Sequence, residues 1–337
     1  MRILIIGGTG LISTAITRRL LERGDRVTLY NRGQREVRFA GEVERIQGDR
    51  CDDRAFTAQM AQAGPFDAVI DMVCYAPGEA ENVVRALRGR TGQYVFCSTV
   101  DVYRKPAGRN PVQEGEPRGP RNHYGRGKAR CEEILMAAHE GGDLAVTIIR
   151  PAHTYGEGGG IIHSLGWGTY FLDRVRRGRP VIVHGDGSSL WVSCHIDDVA
   201  QAFVAALGNP RAFGRAYHVT GEEWQTWDRY HRGVAEALGA PEPRLVHIPT
   251  DLLARVTADA GACADNFCFN NIFDNSAARA DLGFRYTVPW VEGVRRTVAW
   301  LDAHGRIEDS DRYPQYDRIV AAWERLSAGM VEALAQA

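Results

Sequence analysis

Arg2-Ile3-Leu4-Ile5-Ile6-Gly7-Gly8-Thr9-Gly10-Leu11-Ile12-Ser13 is the stretch from which the fold can be read. An apolar run of strand length stops in glycines and then opens a helix-patterned segment, Leu11–Arg23. Gly7 permits a tight turn, and Gly10 lets the backbone approach a pyrophosphate held at the helix N-terminus. In this strand–turn–helix setting the motif is far more specific than a stray glycine cluster. Ser13 stands where a third glycine is usual, so slightly looser packing of helix on strand is expected.

Working outward, short apolar runs keep alternating with helical patterns. Arg26–Tyr30, Val43–Gln47, Ala68–Val73, Gln93–Cys97 and Ala145–Ile149 read as strands, and Glu79–Leu87 and Tyr124–His139 as helices. Such alternation predicts a doubly wound parallel sheet with helices on both faces and ligands beyond the strand C-termini. After Arg150 the pattern loosens into a glycine-rich loop, Gly156–Gly168, and a helix over Tyr170–Arg177. Short strands follow at Val181–Val183 and Val192–Ile196, then a helix over Asp197–Leu207 and a strand at Ala216–Thr220. From Trp224 onward helices dominate, ending in Tyr313–Leu334. The expected division is a nucleotide-binding domain over 1–155, its sheet completed by strands near 181–220. A smaller lobe takes 156–180 and 221–337.

Composition narrows the function classes. The chain has 337 residues, 41 Lys+Arg against 42 Asp+Glu and a net charge of −1, giving no electrostatic reason to expect nucleic acid or an anionic membrane. No apolar run reaches the length of a membrane span, and Met1-Arg2 is too short a lead for a signal peptide. Seven scattered cysteines without a Cys-x-x-Cys pair read as idle thiols in a reducing cytoplasm, and no metal is expected. Only two lysines are present, Lys105 and Lys128, which makes each informative.

The second strand ends in Tyr30-Asn31-Arg32-Gly33, with Arg35 close behind, where an acid would otherwise accept ribose hydroxyls. A guanidinium there pairs with a 2′-phosphate, which favours NADP over NAD. Asp49 is placed either to meet the adenine amino group or to cap the turn at Asp52.

Tyr124-Gly-Arg-Gly-Lys128 puts a phenol and an ammonium one helical turn apart on one face. A free phenol is a poor base at neutral pH, and an adjacent cation favours the phenolate. Upstream, Cys97-Ser98-Thr99-Val100-Asp101-Val102-Tyr103 leaves a strand, and the Thr99 hydroxyl is placed to share a substrate oxygen with Tyr124. Thr99 and Asp101 alternate along what reads as an extended segment and so face one side.

These residues resemble the extended short-chain dehydrogenase/reductase family, in its NAD-dependent epimerase/dehydratase branch. The likeness runs on through Arg150-Pro151-Ala-His153-Thr-Tyr155-Gly156, Gly185-Asp186-Gly187, His195-Ile-Asp197-Asp198-Val199 and Asp274-Asn275-Ser276. The resemblance implies a Rossmann-type sheet, with Gly7, Thr9, Gly10, Leu11, Ile12, Asn31, Arg32, Arg35, Asp49, Val73, Tyr124, Lys128 and Pro151 around the cofactor. It further implies that Tyr124 takes a proton from a sugar hydroxyl, Lys128 holds the cofactor ribose, and Thr99 orients the reacting oxygen. Asp101 matches a family acid that acts beside the carbonyl, or else caps its loop. Val100 replaces the second acid of two-acid dehydratases.

Two departures concern the substrate. The arginine that relatives place six positions after the start of Gly-Asp-Gly is Trp191 here, and Ala260–Phe273 contains no arginine. Arg174, Arg176, Arg177 and Arg179 are the available substitutes, or a solvated basic helix face. His153 and Trp191 join Thr99 as candidate substrate contacts, and Trp167, Trp224 and Trp227 as stacking or core aromatics. The expectation is an NAD(P)-dependent sugar epimerase or dehydratase-like enzyme on a nucleotide-linked sugar. The alternatives are a net NADP(H)-dependent ketoreductase of a sugar or cyclitol, and a non-catalytic nucleotide-sensing or RNA-binding relative. The expected partner is a small-molecule sugar, with a homodimer left open.

Overall fold

The computed structural model describes residues 1–35 and 37–335. Its chain forms two compact units. Unit 1 comprises Met1–Thr154, Val192–Glu222 and Ile272–Val288, and unit 2 comprises Tyr155–Trp191, Glu223–Asn271 and Pro289–Ala337.

In chain order the first elements are β1 (Arg2–Ile6), α1 (Leu11–Glu22), β2 (Arg26–Asn31), β3 (Glu44–Gln47) and α2 (Asp53–Ala63). Then come β4 (Ala68–Asp71), α3 (Pro77–Leu87), β5 (Tyr94–Cys97), α4 (His123–Glu140), β6 (Val146–Pro151) and β7 (His153–Tyr155). They are followed by α5 (Tyr170–Arg176), β8 (Val181–His184), β9 (Leu190–Trp191), β10 (Ser193–His195), α6 (Ile196–Ala206) and β11 (Arg215–Val219). The rest are β12 (Gln225–Thr226), α7 (Trp227–Leu238), β13 (Leu245–Ile248), α8 (Thr250–Val256), α9 (Ser276–Leu282), α10 (Trp290–Ala303) and α11 (Pro314–Ala335).

Unit 1 is built on a seven-stranded sheet in the order β3-β2-β1-β4-β5-β6-β11. Neighbouring strands pair in parallel, with Ile6 of β1 opposite Tyr30 of β2 on one side and Asp71 of β4 on the other. The strand order reverses between β1 and β4, which puts the crevice for a ligand beside Gly7. Side chains of β1 alternate between faces. Ile3 and Ile5 pack with α1 and α6, whereas Leu4 and Ile6 pack with Phe56, Val83 and Leu135 of α2, α3 and α4. Both faces are therefore covered, so the apolar run of β1 needs no polar alternation.

The structure departs from the sequence reading in four places. Helix α2 is missed by pattern reading because only Phe56 and Met60 of its eleven residues are buried. Of the later strands expected to complete the sheet, β11 pairs with β6, but β8 pairs with β13 inside unit 2. Val192–Glu222 and Ile272–Val288 cluster with unit 1, as α6 and α9 pack on its sheet. Finally, Val100–Val102 is a 3-10 turn rather than an extended segment, because the Thr99 hydroxyl accepts the Asp101 N–H at 3.2 Å.

In unit 2 a core around Trp227, Tyr230, Phe171 and Trp290 joins α5, α7 and α10. No helix among the described residues is long and apolar enough to cross a membrane.

Candidate active site

A pocket of about 490 Å³ in unit 1 opens at the C-terminal ends of β1, β2 and β4. Gly7, Thr9, Gly10, Asn31, Arg32, Arg35, Asp49 and Val73 all line it. Gly7 has φ +83°, and a Cβ there would lie 2.5 Å from Val73 Cγ1, so only glycine fits the turn. The Ser13 hydroxyl accepts the Gly10 N–H and donates to the Gly7 carbonyl, each at 2.8 Å. The serine thus ties the loop together where its sequence position suggested loosening. The first turn of α1 has no acidic residue, leaving the positive end of the helix dipole uncompensated.

Asn31 Oδ1 accepts the Gly33 N–H at 2.9 Å, while its Nδ2 is buried without a partner beside the pocket. An orphaned donor, a glycine turn and an unopposed helix N-terminus fit the phosphates and ribose of a dinucleotide. Asp49 accepts the Cys51 N–H at 3.0 Å within its turn, and it is among the residues that line the pocket. Leu11 and Ile12 instead pack against the core under α1, and Pro151 ends β6, so none of the three is among the lining residues.

Sequence reasoning missed Arg50 and Tyr75 on the pocket wall. Arg50 Nη1 donates to both Asp71 carboxylate oxygens at 2.8 and 2.6 Å, and Tyr94 donates to the same carboxylate at 2.8 Å. Asp71 also accepts the Val73 N–H at 3.0 Å, which fixes the backbone of the pocket wall. The basic residue directly after Asp49 was the only available signal.

Helix α4 begins with the Asn122 side chain accepting the Gly125 N–H at 2.7 Å. Two glycines then bring the helix against its neighbours. A Cβ on Gly125 would stand 2.4 Å from the Asp101 carbonyl oxygen, and one on Gly127 would stand 2.2 Å from that of Tyr75. Glycine inside a helix costs about 1 kcal/mol relative to alanine. Here that cost permits contact between α4 and both segments, a reason invisible in the spacing alone.

Lys128 is 1% exposed and donates to the Cys97 carbonyl at 2.6 Å. Its Nζ lies 4.5 Å from the Tyr75 ring centroid, 4.8 Å from Phe96 and 5.9 Å from Tyr124. Tyr124 is 44% exposed, yet its pKa is raised well above the ordinary phenol value. Desolvation is the largest cause, followed by the Cys97 thiol and the Asp101 carboxylate, with the Thr99 hydroxyl acting in the opposite direction. The sequence reading expects Lys128 to lower this pKa. The ammonium instead lies across ring faces and donates to Cys97, which leaves burial dominant.

Asp101 lies 3.7 Å from Lys105, whose side chain is only 8% exposed. The other rare lysine therefore also stands at this site. His153 is buried, with Nδ1 2.7 Å from Ser193 Oγ, and burial pushes its pKa down to about 3. It is a neutral hydrogen-bonding group. Trp191, offered by the sequence as a substrate contact, is 6% exposed and packs 5.0 Å from both Trp227 and Phe267 in the core of unit 2.

The arginines considered as diphosphate substitutes are all engaged. Arg174 is fully buried, donates to Asp317 at 2.7 Å and stacks 3.9 Å from the Tyr316 ring. Arg176 pairs with Asp302, Arg177 with Asp173, Asp309 and Asp311, and Arg179 with Asp311. Arg174 is committed to the core, whereas Arg176 and Arg177 are exposed and pair with carboxylates of α10 and of the segment before α11.

Comparison with known proteins bears on the same residues. Residues 3–220 match the model of the NAD dependent epimerase/dehydratase family. The chain is 30% identical over 259 residues to the chloroplast stem-loop binding protein of 41 kDa b from Arabidopsis thaliana, covering 73% of this chain and 65% of that protein. The chain thus spans just under two thirds of that relative. It is 27% identical over 334 residues to 2'-dehydrokanamycin reductase of Streptomyces kanamyceticus, covering 98% and 94% of the two chains. The crystal structure of UDP-glucose 4-epimerase from Thermus thermophilus in complex with NAD superposes with a TM-score of 0.72 at 23% identity, over 90% of this chain and 99% of that one.

Proposed function

This chain belongs to the NAD-dependent epimerase/dehydratase family of enzymes, and we propose that it oxidises a sugar hydroxyl transiently, with Tyr124 as the acid/base. The observation that carries this reading is Lys128: an ammonium held by Cys97 beneath the rings of Tyr75 and Tyr124, with Tyr75 on the pocket wall. Unit 1, to which Ile272–Val288 belongs, would provide most of the cofactor site, and unit 2 would take the sugar. A bound dinucleotide would supply a hydride acceptor that returns the hydride within one cycle.

The roles of the side chains follow from their placement. Tyr124 would exchange a proton with the sugar oxygen, Thr99 would orient that oxygen, and Lys128 would hold the ribose. Arg32 and Arg35 on the pocket rim favour a 2′-phosphate, hence NADP over NAD. Asp101, whose backbone carbonyl packs on Gly125 and whose carboxylate lies 3.7 Å from Lys105, would take a proton from the carbon beside a carbonyl. Val100 is buried and cannot supply a second acid for expelling a hydroxyl. Epimerisation beside the carbonyl is therefore favoured over elimination.

A second reading is a net NADP(H)-dependent ketoreductase. The engagement of Arg174, Arg176, Arg177 and Arg179 by carboxylates favours it, since a guanidinium already held by a carboxylate is a poorer clamp for a sugar diphosphate. The 2'-dehydrokanamycin reductase, matched over nearly the whole length, has that kind of activity in its name. Stem-loop binding, as named for the Arabidopsis relative, finds less support: a net charge of −1 offers no general phosphate attraction.

The experiment is a stoichiometry and exchange measurement. Nucleotide sugars and keto-sugars are turned over in deuterated water with NAD(P)(H), and cofactor absorbance and product deuteration are followed. Carbon-bound deuterium with no net cofactor change is expected, lost in Asp101→Asn. Consumption of one cofactor per product overturns the epimerase reading, and full activity of Asp101→Asn removes its acid/base role.

A further inference from the structure

Lys128 is a buried cation with little polar company. Among the described residues, the Cys97 carbonyl is its one hydrogen-bond acceptor, and no carboxylate pairs with it. An ammonium withdrawn from water without an ion pair is costly unless something else attracts it. Two ring faces do so. The Nζ lies 4.5 Å from the ring centroid of Tyr75 and 4.8 Å from that of Phe96. Both distances fall inside the roughly 6 Å reach of cation–π attraction.

The two rings are held in different ways. Phe96 belongs to β5, opposite Asp71 on one side and Ile148 on the other, and it is fully buried. Tyr75 follows β4 in a loop and is 48% exposed, so its ring borders both the pocket and the ammonium. Its backbone is clamped from two directions. The Tyr75 N–H donates to Glu79 Oε2 at 2.6 Å, and Glu79 itself lies 3.8 Å from Arg50. The Tyr75 carbonyl oxygen fills the space where a Cβ on Gly127 would begin, 2.2 Å away. The loop is thereby pressed against α4 one residue from Lys128, with the Tyr75 ring centroid 6.2 Å from that of Tyr124.

We infer that Tyr75 is a positioning residue of the proposed reaction: its ring face, together with Phe96, fixes the Lys128 ammonium beside Tyr124 and the cofactor pocket. The role lies in the ring, since the hydroxyl stands 3.5 Å from the Met72 carbonyl of its own loop. The inference rests on the roles given above to Tyr124 and Lys128, and the ammonium can be followed without turnover.

The scarcity of lysine supplies the probe. Only Lys105 and Lys128 are present, so lysine isotopically labelled at the ε-carbon gives the full chain two side-chain signals in NMR, assigned with Lys105→Arg. Protons over a ring face resonate upfield, so the Lys128 signal should lie upfield of free lysine. Tyr75→Leu fills much of the same volume without a ring, whereas Tyr75→Phe keeps the face. In Tyr75→Leu the Lys128 signal should move toward the free-lysine position. NADPH affinity and sugar turnover should each fall by about tenfold in that variant. Tyr75→Phe should match the wild type in all three readouts, a rescue that a role for the hydroxyl would not allow. An unmoved Lys128 signal in Tyr75→Leu overturns the inference, and weaker NADPH binding with that signal unmoved would make the ring a cofactor contact instead. A moved signal with wild-type affinity and turnover overturns it too, as does a Tyr75→Phe variant as defective as Tyr75→Leu. A wild type that neither binds NADPH nor turns over a sugar would count against the reaction itself, while the signal would still report whether the ring fixes the ammonium.

Discussion

The carbonyl oxygen of Asp101 occupies the space in which any side chain at position 125 would begin, 2.4 Å from where a Gly125 Cβ would stand. Helix α4 and the turn bearing Thr99 and Asp101 are therefore in backbone contact, and that contact sets where the Tyr124 phenol lies relative to both residues. Gly125→Ala should gain about 1 kcal/mol of helix propensity yet lose more to the clash, for a net destabilisation of about 1–2 kcal/mol. Turnover should fall about tenfold or more, since small displacements of reacting groups are costly. Urea unfolding and steady-state kinetics check both, and unchanged turnover would show that the contact does not position Tyr124.

Tyr124→Phe should reduce turnover by about 100-fold or more with cofactor affinity preserved, because only the proton path is removed. Lys128→Ala should weaken cofactor binding as well. Calorimetric titration of NADPH into both variants decides the matter: equal affinities would take the ribose role away from Lys128.

The preference for NADP(H) over NAD(H) should exceed about tenfold, the worth of one charge-assisted phosphate contact. Arg32→Ala should reduce that ratio, with Arg35→Ala as the second test. Tighter NAD(H) binding by the wild type contradicts the assignment directly.

Arg150 and Glu132 form a buried fork: Nε to Oε1 at 2.8 Å and Nη2 to Oε2 at 2.6 Å, with Ser98 donating to Oε1 at 2.6 Å. Glu132 lies one turn beyond Lys128 on α4, so the pair ties the helix to β6 and to the end of β5. Arg150→Met should cost about 3 kcal/mol, since it leaves the buried Glu132 carboxylate only the partly exposed Arg118, 3.0 Å from Oε2, and the Ser98 hydroxyl. Arg150→Met/Glu132→Leu should recover much of that loss in chemical denaturation. A double variant no more stable than the single one would show that packing, not charge, sets the cost.

Burial lowers the pKa of His153, His163 and His218 from 6.5 to about 3, and that of His184 to about 4. Their folded pKa values lie below the unfolded ones, so the unfolded chain binds more protons between those limits. Stability is complete above pH about 6.5 and declines as pH falls, by about 1.4 kcal/mol per pH unit per group. At pH 5 each histidine would cost about 2 kcal/mol, and four together rival a typical total stability of about 5–15 kcal/mol. Circular dichroism should therefore show unfolding between about pH 6 and 4.5. A chain still folded at pH 4 would mean that these rings are not buried neutral.

Local spacing sufficed for much of this protein. The apolar run Ile3–Ile6 ending in Gly7, and the four-residue step from Tyr124 to Lys128, are short-range patterns, and they placed the sheet, the turn and the phenol–ammonium pair. Both rely on backbone periodicity, which acts over a few residues and leaves its mark directly in the chain. What the tertiary structure decided depends on partners far apart in sequence. Arg174 and Asp317 meet across 143 positions, β8 finds β13 rather than the main sheet, and Trp191 is enclosed by Trp227 and Phe267. Whether an arginine is free for a phosphate, or a tryptophan for a sugar, is settled by which distant groups pack against it. Only the folded chain brings those groups together.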